Sequence, residues 1–311
     1  MPTPPRLNAL TWGLMLLGLA ALIAAPYYFY PLFLIKLLCF SLFACAFNLL
    51  MGSAGLLSFG HAAFYGTAAY IAAHSAKIWG FPFEVAVLSG VGAAAVLGII
   101  FGYVSIRQQG LFVAMITLAL AQLIYFLALQ LPFTHSEDGI QGVPRGRLFG
   151  LIDLNDPFAM YYTVAGIFLF GYAMIHRIVH SPFGQILNAI RENPVRATSL
   201  GYKIGNYKLV AFILSAAFAG LAGATKAIAF QYASLSDVHW VTSGDVILMT
   251  ILGGVGTMFG PVVGAVLVVS LDEFLAESGL PIQAVIGAIF ICCVLLFRRG
   301  IVGEISHLLK R

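Results

Sequence analysis

The chain has 311 residues, 61% hydrophobic and 9% charged, with a mean hydropathy of +0.97, whereas soluble domains carry about 25% charged residues. This composition excludes a soluble globular protein and predicts an integral membrane protein. The formal charge of +4 sits mostly in a few connecting segments, so it reports orientation in a lipid bilayer and not a nucleic-acid partner.

Apolar runs at 10–25, 32–51, 83–105, 110–131, 158–175, 209–230 and 282–297 approach the roughly 20 residues that cross hydrocarbon as a helix. They are apolar on every side, with Gly and Ala interspersed, and do not alternate. An all-α polytopic bundle is therefore expected, not a β-barrel. The first run, preceded by Arg6, has the outline of a secretory leader. After Ala24-Ala25-Pro26 the chain continues in membrane-like aromatics, which predicts a retained first span. Cys39, Cys45, Cys292 and Cys293 all fall inside apolar runs without metal-ligand or redox spacing, and read as small core residues.

Charge asymmetry sets the topology. Arg177, Arg191, Arg196, Lys203 and Lys208 face only Glu192 in one segment, and Arg298, Arg299, Lys310 and Arg311 crowd the C-terminus. Both are predicted to be cytoplasmic, with Arg6 and Arg107 on the same side. The 132–157 loop, with Glu137, Asp138, Asp153 and Asp156, and the cluster Asp272, Glu273 and Glu277 are predicted to face out. These constraints give an N-in, C-in chain of ten segments, or eight crossings plus a re-entrant pair. The pair would occupy 243–275, two short arms meeting at Gly253-Gly-Val-Gly-Thr-Met-Phe-Gly-Pro261. A single membrane domain, 1–311, is expected, and Ser58-Phe-Gly-His61 against Met258-Phe-Gly-Pro261 gives a faint sign of internal repetition.

Small residues recur every fourth position at Gly90, Ala94, Gly98 and Gly102, and again at Ala211, Ser215, Ala219, Gly223 and Ala227. Such stripes let neighbouring helix backbones approach closely, and tight intramolecular packing is the expectation.

The segment 181–208 is a polar, basic island. Phe183, Ile186, Leu187 and Ile190 repeat at helical spacing, opposite Gln185, Asn188 and Arg191. Asn193-Pro194 then supplies an N-cap and a first-turn proline, so a second short helix is predicted over 194–200, stopping at Gly201. Pattern alone leaves open a helix pair lying on the lipid surface, one docking into a protein groove, or a catalytic loop. The sequence contains no Gly-x-x-x-x-Gly-Lys-Ser/Thr loop, so ATP binding and hydrolysis would have to come from another chain. Zinc-protease, Gly-x-Ser-x-Gly and paired-acid signatures are missing as well, which argues against an intramembrane enzyme.

Ala189-Ile-Arg-Glu-Asn193, with Ala197 and Gly201 after it, resembles the cytoplasmic signature of the M-type permease subunits of ATP-binding-cassette importers for branched-chain amino acids, the LivM-like family. Asn48–Gly66, Tyr125-Phe-Leu-Ala-Leu, Glu137-Asp-Gly-Ile-Gln-Gly-Val-Pro144 and Leu252–Pro261 are similar in order and spacing, over roughly 30–300. The resemblance implies a non-catalytic, multi-pass subunit of the bacterial inner membrane. Its partners would be a second, homologous permease (a heterodimer), two cytoplasmic ATPases that bind the ATP, and a periplasmic solute-binding protein. No cofactor or metal of its own is expected. The island becomes an ATPase-coupling element, with Leu187, Ala189, Ile190, Arg191, Glu192, Asn193, Pro194, Arg196, Ala197, Leu200 and Gly201 as its residues. Pro194 stands where the family often has an acid, and Lys203 and Lys208 make the end of the island basic. Related permeases carry urea or short amides. A proton-coupled secondary transporter is the other alternative, although deep in the spans the sequence offers it only His61.

The translocation path is expected near the helix breaks, with Gly55, Ser58, His61, Gly253, Gly254 and Gly256 as candidates. A broken helix exposes a half-helix N-terminus that suits a carboxylate. For His61 the competing reading is a hydrogen bond stitching helices together. Lys226 is expected to snorkel to the outer interface, while Asp245 and Glu84 are expected at helix starts. The 132–157 loop is read either as a docking surface for a periplasmic partner or as a solvated connection.

Overall fold

The computed structural model describes residues 18, 22–108, 110–276, 285, 287–291 and 300–308. After a short helix at 22–28, α1 (Pro31–Asn48) runs without interruption into a π-helical turn, Leu49–Ala54. Then follow α2 (His61–Lys77), α3 (Phe83–Ser105), α4 (Leu111–Gln130) and α5 (Pro157–His180). The island forms α6 (Pro182–Glu192) and α7 (Pro194–Ser199), and α8 spans Ile204–Phe230. The described chain closes with α9 (Trp240–Gly253), α10 (Gly260–Ala276) and α11 (Ile301–Leu308).

Among the described residues, five helices are long and apolar enough to cross a membrane: Pro31–Ala54, Phe83–Ser105, Leu111–Gln130, Pro157–His180 and Ile204–Phe230. They coincide with five of the expected runs, and the protein is a multi-pass, all-α membrane bundle. The runs at 10–25 and 282–297, with Cys292 and Cys293, lie largely outside the described residues. The expected pair at 243–275 is present as α9 and α10, joined through 254–259. One helix escaped the run count. α2 is buried on nearly every side between α3 and α8, so its His, Ser and Tyr side chains face protein and dilute the apolar signal that lipid-facing helices carry.

Contacts sort the connections into two ends. Tyr161 and Tyr162 of α5 donate to the carbonyls of Leu22 and Ile23, at 2.6 and 3.2 Å, so 22–30 and the 131–156 loop share one end. The π turn, the 254–259 turn and the basic helix pair share the other. The basic end is the cytoplasmic one by the charge rule. Cations at the opposite end are tied down. Lys36 pairs with Asp272 at 3.0 Å and Glu273 at 3.1 Å, Lys77 donates to the Gln141 carbonyl at 2.6 Å, and Arg145 grips the Ala229 carbonyl at 2.8 and 3.1 Å.

Four two-residue strands stiffen the outer loop. Ile140 and Gln141 (β1) pair antiparallel with Ala233 and Tyr232 of β4, and Arg147–Leu148 (β2) pairs with Ile152–Asp153 (β3). The 132–157 loop is thus stapled to the end of α8 and is not a free solvated connection. Glu84 occupies the first turn of α3, as expected, and accepts a hydrogen bond from the Phe149 amide.

The core is a three-helix contact of α2, α3 and α8. α3 and α8 run antiparallel, with Gly90 against Ala224 and Gly98 against Ala216. The first small-residue stripe therefore meets Ala216, Gly220 and Ala224, one position over from the second predicted stripe. That second stripe faces elsewhere: Gly223 lies against the Tyr65 backbone of α2, and Ser215 against α1. α8 has two small faces because three helices crowd it, and small residues are what permit such approach. A methyl added at Gly98 would sit 2.6 Å from the Ala216 Cβ, while one at Gly92 meets nothing within 4 Å. Gly98→Ala is expected to destabilise by about 1–3 kcal/mol through overpacking and to lower the thermal midpoint in detergent, with Gly92→Ala unchanged.

Candidate functional site

The helix pair is built by local chemistry. Ser181 caps α6, its Oγ accepting from the Gly184 amide at 3.4 Å with Pro182 in the first turn. Asn193 stops α6 and caps α7, its Oδ1 accepting from the Arg196 amide at 3.0 Å, with Pro194 next. Gly201, at φ +87°, ends α7 where its amide and that of Tyr202 close onto the Thr198 and Ala197 carbonyls. The predicted break, cap and stop thus all hold.

Leu187, Ile190 and Ala197 are buried, and α6 packs against the π turn and α8. The apolar face that could have lain on lipid is covered by the chain itself. Ala189, Arg191, Glu192, Asn193, Pro194, Arg196, Leu200 and Gly201 are exposed. Val195 and Leu200 keep 74% and 70% of their surface in the open.

The two helix breaks meet beside this pair. The π turn ends at Gly55, whose φ of +69° is a left-handed conformation that a side chain would strain. Gly52 lies so close to the second break that an added Cβ would stand 2.9 Å from the Gly256 Cα. Asn48 joins the breaks with both ends of its amide: Nδ2 donates to the Thr257 carbonyl at 2.9 Å, and Oδ1 accepts from the Gly256 amide at 2.9 Å. Thr257 Oγ1 donates to the Gly254 carbonyl at 2.7 Å and accepts from the Gly260 amide at 3.1 Å, shaping the entry to α10. Gly253 and Gly254 are buried here and Gly256 is exposed. Arg191 reaches across from α6, its Nη1 donating to the Gly52 carbonyl. Arg191, one of the coupling residues, and the glycine candidates for the path are therefore one cluster.

Ser58 and His61 are separate from it and fully enclosed by the chain. His61 Nε2 lies 2.8 Å from Ser215 Oγ, which donates to the Ala46 carbonyl at 2.6 Å. Phe47 and Phe64 stand edge-on to its ring, at 4.9 and 5.5 Å. Ser58 Oγ accepts from the Gly60 amide at 3.2 Å. This is the geometry of a stitch joining α1, α2 and α8. Phe59-Gly60 and Phe259-Gly260, the repeated dipeptides, each lead from a break into a helix of 17 residues.

Two expectations are corrected. Lys226 does not snorkel: it is 5% exposed and pairs with Asp237 through both carboxylate oxygens at 2.9 Å, with the Tyr232 ring 4.1 Å away. Asp237 is fixed by a capping box with Ser234. A Ser-x-x-Asp spacing at 234–237 was the available sign of an acid held in place there. Asp245 lies in the second turn of α9, not at its start, because the helix begins at Trp240. Cys39 and Cys45 are buried, as expected.

The fold and site define a class: a multi-pass membrane subunit whose broken helices meet a short basic helix pair at the cytoplasmic end. The profile of the family described as "Branched-chain amino acid transport system / permease component" matches residues 29–297, and the chain belongs to that family. It is similar to the high-affinity branched-chain amino acid transport system permease protein LivM of Escherichia coli (strain K12), 27% identical over 287 residues, covering 85% of this chain and 67% of the relative. The protein of the same description from Salmonella typhimurium (strain LT2) is 28% identical over the same shares. No solved structure matches the chain.

Asn48→Ala would remove the hydrogen bonds to the Gly256 amide and the Thr257 carbonyl, each contributing about 0.5–1.5 kcal/mol. A lower melting midpoint and faster proteolysis near 254–259 are expected. Asp237→Asn leaves Lys226 buried without its counter-charge and is expected to cost about 3–5 kcal/mol, with much of it recovered in the Lys226→Met, Asp237→Asn double variant. Thermal scans of the three proteins check this.

Proposed function

We infer that the chain is a permease subunit of an ATP-binding-cassette importer for branched-chain amino acids, seated in a bacterial inner membrane. Membership in the permease family and likeness to the two LivM proteins support the substrate class. In this reading the chain forms one permease domain and pairs with a second, homologous permease. It receives substrate from a periplasmic binding protein at its acidic, loop-stapled end and is driven by two cytoplasmic ATPases. It performs no chemistry itself and holds no cofactor, the ATP being bound by the ATPases.

The observation that carries the reading is the exposed part of the helix pair. α6 is anchored on its apolar side, yet Val195 and Leu200 stand in solvent beside Arg196. Water-facing apolar side chains on a rigid, two-sided element mark a surface that another protein covers. Lys203 and Lys208 extend that surface with positive charge. The path would follow the glycine-rich breaks at Gly55, Gly253, Gly254 and Gly256, with His61 and Ser58 holding the helices behind it.

The test is co-purification of the complex. Burying a Val or Leu side chain contributes about 1.5–3 kcal/mol, so Val195→Asp with Leu200→Asp is expected to release the ATPases at least tenfold more readily while the membrane subunit keeps its melting midpoint. Reconstituted complex with the binding protein is expected to import labelled leucine, and the purified chain alone to hydrolyse no ATP. ATPases retained by the double variant would overturn the seat assigned to the helix pair.

A further inference from the structure

The contact between Arg191 and the π turn joins the helix pair to both helix breaks through one side chain. A helix that stops inside a membrane protein leaves its last carbonyls without donors from a following turn. In the π turn, the Leu50 carbonyl accepts from the amides of Gly55 and Leu56. The Gly52 carbonyl instead takes its donor from another element, Arg191 of α6. The negative end of the α1 dipole meets a guanidinium, a favourable pairing at a helix C-terminus.

The fit is steric as well as polar. The Arg191 stem fills the place a Gly55 side chain would take, with Cγ 2.7 Å and Cδ 3.3 Å from that position. Its Nη1 lies 3.6 Å from the corresponding position at Gly256. One arginine therefore bonds Gly52, lies against Gly55 and stands beside Gly256, and the two breaks are already tied by Asn48. At the far end of α1, Lys36 holds Asp272 and Glu273 of α10. α1 and α10 are thus clamped at both ends, and Arg191 grips the inner clamp.

We propose that Arg191 is the positioning residue through which displacement of the helix pair moves the α1–α10 unit. α6 is short and rests on the π turn, and α7 rests on α6 and α8; without the arginine the pair could shift while the breaks stay where they are. With it, the Gly52 carbonyl, the left-handed turn at Gly55 and the 254–259 turn travel with the end of α6. The role rests on the ATPase-driven reading above, and it adds what that reading leaves open: which side chain carries the motion inward.

The experiment uses the complete transporter in proteoliposomes with its binding protein, counting substrate imported per ATP hydrolysed. Arg191→Met is expected to assemble with its ATPases and still hydrolyse ATP, with import per ATP hydrolysed at least tenfold lower than wild type. Arg191→Lys, which keeps a cation and one donor for the Gly52 carbonyl, is expected to recover import to within several-fold of wild type. Gly55→Ala, which pushes the arginine stem aside, should reproduce the uncoupling. A purely structural role would lower yield and melting midpoint and leave the ratio alone. A wild-type ratio in Arg191→Met overturns the proposal. Loss of the ATPases from that variant overturns it too, since Arg191 would then be a docking contact. Failure of the underlying reading looks different, because the Val195 and Leu200 double variant would keep its ATPases bound.

Discussion

Backbone polar groups that leave a helix inside a bilayer must find partners in the protein, because hydrocarbon offers none. Among the described residues, the helix breaks at 55–60 and 254–259 meet beside the helix pair, and ties between elements supply such partners. Asn48 supplies a donor and an acceptor to the second break from the end of the first helix. Thr257 closes the turn on itself, and Arg191 reaches in from the helix pair to the Gly52 carbonyl. The Asn48 and Arg191 ties cross between elements distant in sequence. The breaks are therefore tied to one another.

That core is made of closeness. Gly and Ala on α3 and α8 bring the helix backbones together, and α2 lies enclosed between them, stitched to its neighbours by a few hydrogen bonds. His61 bonds Ser215, and the Ala62 amide donates to Ser243 Oγ at 2.8 Å. A dense, stitched bundle on one side and a glycine-lined junction on the other divide the subunit into a part that holds shape and a part that can respond. The outer end is fixed by a different device: Lys36, Lys77, Arg145 and Lys226 are each paired or donate to a carbonyl, and β1 and β4 staple the long loop to α8.

Much of this was legible in the chain. The run lengths placed five crossing helices, and the Asn193-Pro194 pair with Gly201 gave the second helix of the pair to within a residue. These features are local: span length, capping and charge act over a few residues and need no knowledge of neighbours. The Lys226–Asp237 ion pair was not seen, since hydropathy places Lys226 near an interface and says nothing of which carboxylate waits there. α2 was missed as a core helix for a related reason: a helix buried in protein need not be as apolar as one facing lipid.

The sequence by itself determined that the chain is a membrane bundle with a capped, basic helix pair on its inner side, because composition and cap chemistry are written residue by residue. Only the tertiary structure decided that Arg191, Asn48 and the glycines of both breaks form one junction. Those residues lie as far apart as 48 and 257, and spacing along a chain carries no distance through space. Which small face of α8 meets α3 was settled in the same way, by packing among three helices at once.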